Sequence, residues 1–393
     1  MFVADLGCAW LAHPFARSSF LLRTDADVRR VRALRTAAVT IDCARGEDVL
    51  APPEFEAPGV STEARIQALA AQPALPAPVS LAEEVSNATA VRREAGEVVR
   101  SVMQDARLGK AVEVGRVAAV VEDVTTSILR NASALVSLTR IKSKDGYTFN
   151  HSVSVCALLV AFCRSRGMDV GTMYEAGIGG LLHDTGKALI PDAILNKPGR
   201  LTPEEFEIVR RHPRDGYDIL RQTRGIGPVP LDIALHHHER PDGTGYPERQ
   251  RGEQLSELSR MAALVDVYDA ITSDRCYHKG MPAAEALRKM LEWSTSQFDQ
   301  GLTHEFIRLV GIYPLGTLVL LESGRLGVVV EPHPVSLLTP KVRVFFSTRS
   351  GTYIQPLLVD LSRGVGLGGA DRIISAESAQ KWRVDPERFM APA

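Results

Sequence analysis

From residue 81 to about residue 312, apolar side chains recur at three- and four-residue spacing and strand signals are absent. A chain patterned this way must bury its apolar stripes against other helices, so the expectation is a helical bundle. One segment, Asn150 to about Arg166, is apolar almost all round and reads as a central buried helix with Gly167 as its stop. Further helices are expected from Val170 to Leu182, from Pro203 to about Arg211 and from Leu258 to about Ser273. Thr202 is a good N-cap for the second of these, with Pro203 at the first helical position and Glu205 completing a capping box.

The flanks have a different texture. Residues 1–50 alternate short β-like runs (Phe20-Leu21-Leu22, Val39-Thr40-Ile41) with turn and charge signals, and read as a small α+β or β domain. Residues 51–80 are Pro- and Ala-rich and read as a linker, with one short helix over Thr62 to Ala71. Connecting helices are expected over 81–135, and the domain that carries chemistry over 136–312. After Tyr313 the runs become strand-like: a hairpin over Thr317 to Val330, then Lys341 to Phe346 and Tyr353 to Leu361, a β-rich extension over 313–393. The fold class is therefore multidomain and mainly α.

Charge excludes some functions. Lys and Arg total 46 against 47 Asp and Glu, so non-specific nucleic-acid binding has no global electrostatic support. The longest apolar run, Val153 to Cys163, is far short of the ~20 residues that insertion across a membrane requires. The N-terminus lacks a secretory signature, and five cysteines with no C-x-x-C suggest no disulfide framework. A cytoplasmic protein is the expectation, with Cys156 and Cys163 as packing residues.

Histidine is the informative residue. Of ten in the chain, six are His151, His183, His212, His236, His237 and His238. Singly, each has an ordinary reading: a core histidine at His151, a helix C-terminal cation at His212, a solvated acid at Asp266. They occur, however, as an HD pair (His183-Asp184), an HP pair (His212-Pro213) and an HHHE run (His236 to Glu239), with Asp266 inside the apolar stretch MAALVDVYDAI. A buried acid needs a partner. Imidazole and carboxylate together suit Mn, Fe or Zn, and a carboxylate can bridge two cations as a neutral imidazole cannot, which makes Asp184 the natural centre.

These residues resemble a known family. His183-Asp184-Thr185-Gly186-Lys187 is similar to the HD-x-G-K signature of the HD-GYP phosphodiesterases, and His237 to Pro247 (HHERPDGTGYP) to the signature that names them. His212-Pro213 with Gly216, and Asp266-Val267-Tyr268-Asp269-Ala270-Ile271 with Ser273 and Arg275, resemble two further family elements. The resemblance spans roughly residues 140–310. It implies an all-α HD-superfamily bundle and metal-dependent hydrolysis of cyclic di-GMP, with pGpG or GMP as the product left open. It implies one cation held by His151, His183, Asp184 and Asp266, and a second by Asp184, His212, His237 and His238. Asp184 and Lys187 would be catalytic, and Lys187, Arg275, Gly243, Gly245 and Tyr246 would meet the substrate. Iron or manganese would be the metal; a homodimer and a GGDEF-type cyclase or other signalling protein are the partners it suggests. The N-terminal VADL, WLAHPF and Ile41-Asp42 resemble a domain of unknown function found before HD-GYP domains, read here as regulatory.

The departures also matter. Tyr147 stands where three-metal members place a Glu, so two cations are expected. His278 replaces a Lys of the family pattern, with Lys279 beside it, and Phe298-Asp299-Gln300 replaces Phe-Asp-Pro. His236 is read as an extra polar residue outside the ligand set. Two alternatives stay open: a cyclic di-GMP sensor without turnover, and a hydrolase of another cyclic dinucleotide such as cyclic GMP-AMP.

Overall fold

A computed structural model describes residues 2–5, 20–22, 24–32, 40–41, 76–138, 147–273, 280–333, 336–364 and 370–390. The expected helix over 62–71 lies outside the described residues. The chain divides into two compact units, Met1–Gly59 and Val60–Ala393.

In the first unit, β1 (Phe2–Asp5) pairs antiparallel with both β2 (Phe20–Leu21) and β3 (Thr40–Ile41), giving the order β2-β1-β3. Between β2 and β3 lies the helix α1 (Asp25–Arg32). Thr24 begins it: its backbone N–H and its hydroxyl both donate to Asp27 Oδ2, at 3.0 and 2.9 Å.

The second unit is helical up to Val310. Two long helices come first, α2 (Leu81–Arg107) and α3 (Val114–Leu138). Ser80 and Glu83 close α2 with a capping box, the Glu83 N–H donating to Ser80 Oγ and the Ser80 N–H to Glu83 Oε2. Next is α4 (Tyr147–Ser165), in which every residue from His151 to Cys163 is buried. Helix α4 packs against α2, α3, α5 (Val170–Leu182) and α10 (Glu257–Thr272), which explains why its sequence shows no polar face. Asp169 caps α5 by accepting the Thr172 N–H at 2.9 Å. Cys156 and Cys163 are fully buried in this core, as packing residues should be.

Five shorter helices frame the site: α6 (Asp192–Leu195), α7 (Pro203–Val209), α8 (His212–Leu220), α9 (Pro228–His236) and α10, with a loop containing one 3-10 turn (Gly252–Gln254) between α9 and α10. Thr202 and Glu205 form the expected capping box on α7. That helix ends at Val209, two residues short of the expectation, because Pro213 has no N–H to donate to the Val209 carbonyl, which accepts His212 Nδ1–H at 2.7 Å instead, and Pro213 fits the first turn of α8. His212 is consequently the first residue of α8. Two more helices, α11 (Ala283–Trp293) and α12 (Gln300–Val310), close the bundle. Asp299, the Asp kept from the family's Phe-Asp-Pro element, caps α12 through the Leu302 N–H and receives Arg260 at 2.7 Å.

Five antiparallel strands follow in the order β7-β6-β5-β4-β8: β4 (Leu318–Leu321), β5 (Arg325–Glu331), β6 (Lys341–Ser347), β7 (Thr352–Asp360) and β8 (Ile373–Ala376). Strands β4 and β5 are the hairpin read from the Ser323-Gly324 turn. The multidomain, mainly α architecture expected from sequence is thus observed.

Two contacts fix the segment after His183-Asp184. Arg107, at the end of α2, donates to the Ala188 carbonyl at 3.2 Å and forks onto both Asp192 oxygens at 3.2 and 2.9 Å. Gly186, in a short 3-10 helix (Thr185–Leu189), lies so close to α8 that a Cβ there would sit 2.0 Å from the His212 carbonyl and 2.5 Å from the Gly216 nitrogen. Both neighbours are backbone and cannot rotate away. Gly186→Ala is expected to cost about 1–3 kcal/mol or more by overpacking and to lower metal content, because it separates Asp184 from His212. Denaturation midpoint and elemental analysis check this; an unchanged midpoint with full metal content would contradict the constraint.

Candidate metal centre

The histidines share one local design. His183 follows α5 and its Nδ1–H donates to the Gly180 carbonyl at 2.8 Å; His212 lies just past α7 and donates to Val209 at 2.7 Å; His237 follows α9 and donates to Ala234 at 3.0 Å. Each carbonyl belongs to the last turn of a helix, where it lacks an intrahelical partner. Each bond fixes the tautomer and turns the Nε2 lone pair toward the interior, where a cation can take it. His151, on α4, has its Nδ1 held at 2.8 Å by the buried carboxylate of Asp269 instead.

Those nitrogens converge on Asp184. Its Oδ2 lies 3.3 Å from His183 Nε2 and 3.6 Å from His151 Nε2; its Oδ1 lies 3.3 Å from His212 Nε2 and 3.9 Å from His237 Nε2. Asp266 Oδ1 lies 3.0 Å from His151 Nε2, and its Oδ2 lies 3.7 Å from His238 Nδ1. Among the described residues, three groups have ligand atoms close enough to hold an ion: His151, His183 and Asp266; His183, Asp184 and His237; His212, His237 and His238. The seven residues singled out as ligands from sequence therefore lie in one cluster. His236 is apart from it, bonded through Nδ1 to Asp232 at 2.7 Å.

The donor set fits cations. Asp184 Oδ1 and His183 Nε2 are buried, and no hydrogen-bond donor or acceptor reaches either with acceptable geometry. Leaving a buried carboxylate oxygen unsatisfied costs about 1–3 kcal/mol or more, a cost that a bound cation removes. Burial alone would push the Asp184 carboxyl up, but the facing His183, Lys187 and His212 side chains outweigh it and hold it well below the usual carboxylate range. Burial, with help from Lys187 and neighbouring rings, pulls His212 and His237 well below the ordinary imidazole value and His238 down to about 4. These three are neutral ligands near pH 7. His151 is the exception: burial opposes its charge, yet Asp266 and Asp269 raise it to about 9.

Lys187 Nζ is 2.6 Å from Asp184 Oδ2, with its side chain one-fifth exposed. It stands at the rim of the cluster. Tyr246 lies over His238, ring centroids 4.8 Å apart, and meets His212 edge-on at 6.5 Å. Its loop is held from below by buried Glu239, whose carboxylate accepts the backbone N–H groups of Glu248, Arg249 and Gln250 at 2.6, 2.9 and 3.1 Å. Gly245 is buried where a Cβ would meet the Arg240 nitrogen at 2.4 Å, and Gly243 takes φ +76° against Arg251. Arg275 lies outside the described residues, as do His278 and Lys279.

Comparison with known proteins agrees with this geometry. The HD domain family matches residues 134–302, and a domain of unknown function (DUF3391) matches residues 1–117. A cyclic di-GMP phosphodiesterase of Pseudomonas aeruginosa is 48% identical over 383 residues, 97% of this chain and 90% of the relative. The chain belongs to the HD-GYP family. Other relatives cover less of it. A cyclic di-GMP phosphodiesterase response regulator of Xanthomonas campestris is 38% identical over 46% of this chain and 48% of its own length. A 3′3′-cGAMP-specific phosphodiesterase of Vibrio cholerae is 34% identical over 40% of this chain and 36% of its own.

Two residues of this HD-GYP site carry roles that the sequence motifs did not assign. Asp269 stands in the same run as Asp266, three residues on and so on the same helix face; that spacing is the signal for it. Glu239 sits inside the HHE run, but what it holds is backbone from the far side of a loop, which spacing does not reveal.

The raised His151 pKa has a measurable consequence. A folded value of about 9, above the unfolded value near 6.5, stabilises the metal-free fold fully below pH 6.5 and is lost as pH rises through about 9. A cation needs the Nε2 lone pair, so cation uptake by metal-free protein near neutral pH should release about one proton, from His151, and affinity should rise with pH up to about 9. Calorimetry in buffers of different ionisation enthalpy measures this. Asp269→Asn should shrink the release and weaken cation binding about 10–100-fold. Uptake without proton release in the unsubstituted protein would contradict the assignment.

Proposed function

We propose that this chain is a metal-dependent phosphodiesterase that opens cyclic di-GMP to pGpG and onward to GMP. The observation that carries the reading is the placement of Asp184, whose two carboxylate oxygens face two different sets of imidazole nitrogens. Near full-length similarity to a cyclic di-GMP phosphodiesterase supports the substrate. Residues 136–312 would be the catalytic domain and residues 1–50 a regulatory one.

His151, His183, Asp184 and Asp266 would hold one cation, and Asp184, His212, His237 and His238 another, with iron or manganese suited to this nitrogen and oxygen set. When bound, such a pair supplies a water of lowered pKa and neutralises charge building on phosphate oxygens. The chain's own residues do the rest. Asp184 keeps its charge and joins the two ligand sets. The helix-end carbonyls hold His183, His212 and His237 in the tautomer that presents Nε2, and Asp269 orients His151. Lys187, already at the rim, moves from Asp184 to the leaving 3′ oxygen and donates a proton to it, while Arg275 pairs with phosphate. Gly243 and Gly245 let the Tyr246 loop lie close over His238, where it would face the nucleotide.

The experiment is product analysis with cyclic di-GMP, with 3′3′-cGAMP in parallel because a relative carries that specificity. Turnover of cyclic di-GMP with the higher kcat/KM is the expected result. Lys187→Met should keep its metal and lose about 10²–10⁴ in kcat, and Asp184→Ala should lose both. Faster turnover of 3′3′-cGAMP would move the reading to that substrate. Bound metal without turnover of either would make the chain a sensor.

A further inference from the structure

A line of rings and one guanidinium leads outward from the candidate metal centre, from His238 and Tyr246 of the GYP run to Arg210 and Phe206, which lie outside the HD-GYP motifs. Tyr246 lies over His238 with an interplanar angle of 30°. The Arg210 guanidinium carbon then lies 4.9 Å from the Tyr246 ring centroid and 5.9 Å from that of Phe206. Phe206 and Arg210 are one helical turn apart at the end of α7. Exposure rises along the line: Arg210 is one-quarter exposed and Phe206 nearly half, at 47%. An exposed aromatic ring beside a buried polar centre calls for an explanation, and packing within α7 supplies none, since no residue of that helix is buried.

The chemistry of the three groups is complementary to a purine. The Tyr246 ring supplies a π face between His238 and the Arg210 guanidinium. Aromatic rings stack bases, and a planar guanidinium meets the O6 and N7 acceptors of guanine with two parallel N–H bonds. Arg210 is free to do so. Its ion pair is with Glu207 at 2.8 Å, whose side chain is 67% exposed, and such a surface pair is weak.

We propose that Phe206 and Arg210 form the receiving wall for one guanine of the substrate, Phe206 by stacking and Arg210 by donating to O6 and N7. This rests on the phosphodiesterase reading above. The wall lies outside the loop that names the family, so guanine selectivity is set partly by the helix that ends just before His212.

Steady-state kinetics of the unsubstituted protein, Phe206→Ala, Arg210→Ala and Arg210→Lys test it, with metal content per chain as the check on an intact centre. Phe206→Ala should raise KM for cyclic di-GMP about 5- to 100-fold with little change in kcat. Arg210→Ala should narrow the preference for cyclic di-GMP over cyclic di-AMP, read as KM against inhibition constant, by about tenfold. Arg210→Lys should behave like the alanine variant, because the fork and not the charge is used. Normal turnover by the unsubstituted protein with KM and selectivity unchanged in the variants would overturn the wall alone. No turnover of cyclic di-GMP by the unsubstituted protein would overturn the phosphodiesterase reading and the wall with it.

Discussion

A buried carboxylate surrounded by imidazoles sets the terms for the rest of this molecule. Asp184 is almost without solvent contact, yet burial does not neutralise it, because histidines and Lys187 face it from several sides. Keeping a charge in that position requires every approaching group to be fixed in place. The chain does so economically: three imidazoles hang from carbonyls at helix ends that would otherwise lack partners, so one hydrogen bond both completes a helix and aims a ligand. His151 is handled differently. It comes from the middle of a helix, where no carbonyl is spare, and Asp269 holds it instead.

The surrounding fold can be understood from that demand. Helix α4 delivers His151 from the centre of the core and is therefore apolar on every side. The HD turn and the first turn of α8 approach to backbone contact at Gly186, which brings Asp184 and His212 within 3.3 Å of each other. Glu239 anchors the loop that lays Tyr246 over His238. The site therefore draws on α4, α5, the start of α8, the end of α9 and α10, with its ligands spread from His151 to Asp266 along the sequence.

Much of this is legible in the sequence because the chemistry is written in short local runs. HDTGK, HP and HHE each place a histidine next to a helix terminus, and the capping box at Thr202 and the Gly167 stop bound their helices correctly. What is not legible depends on distant backbone. The early end of α7 follows from Pro213, which was read as part of a motif and not as a helix start. Asp269 required attention to helix face as well as motif. The contacts of Glu239, the close approach at Gly186 and the line from Tyr246 to Phe206 join segments whose spacing in sequence carries no period.

The central claim is that Asp184 joins two cation sites. Anomalous diffraction from crystals of anaerobically purified, metal-loaded protein tests it most directly. The account expects two peaks about 3.5–4 Å apart, one beside Asp184 Oδ2, His151, His183 and Asp266, the other beside Asp184 Oδ1, His212, His237 and His238. A single peak, or two peaks of which Asp184 touches only one, would contradict it.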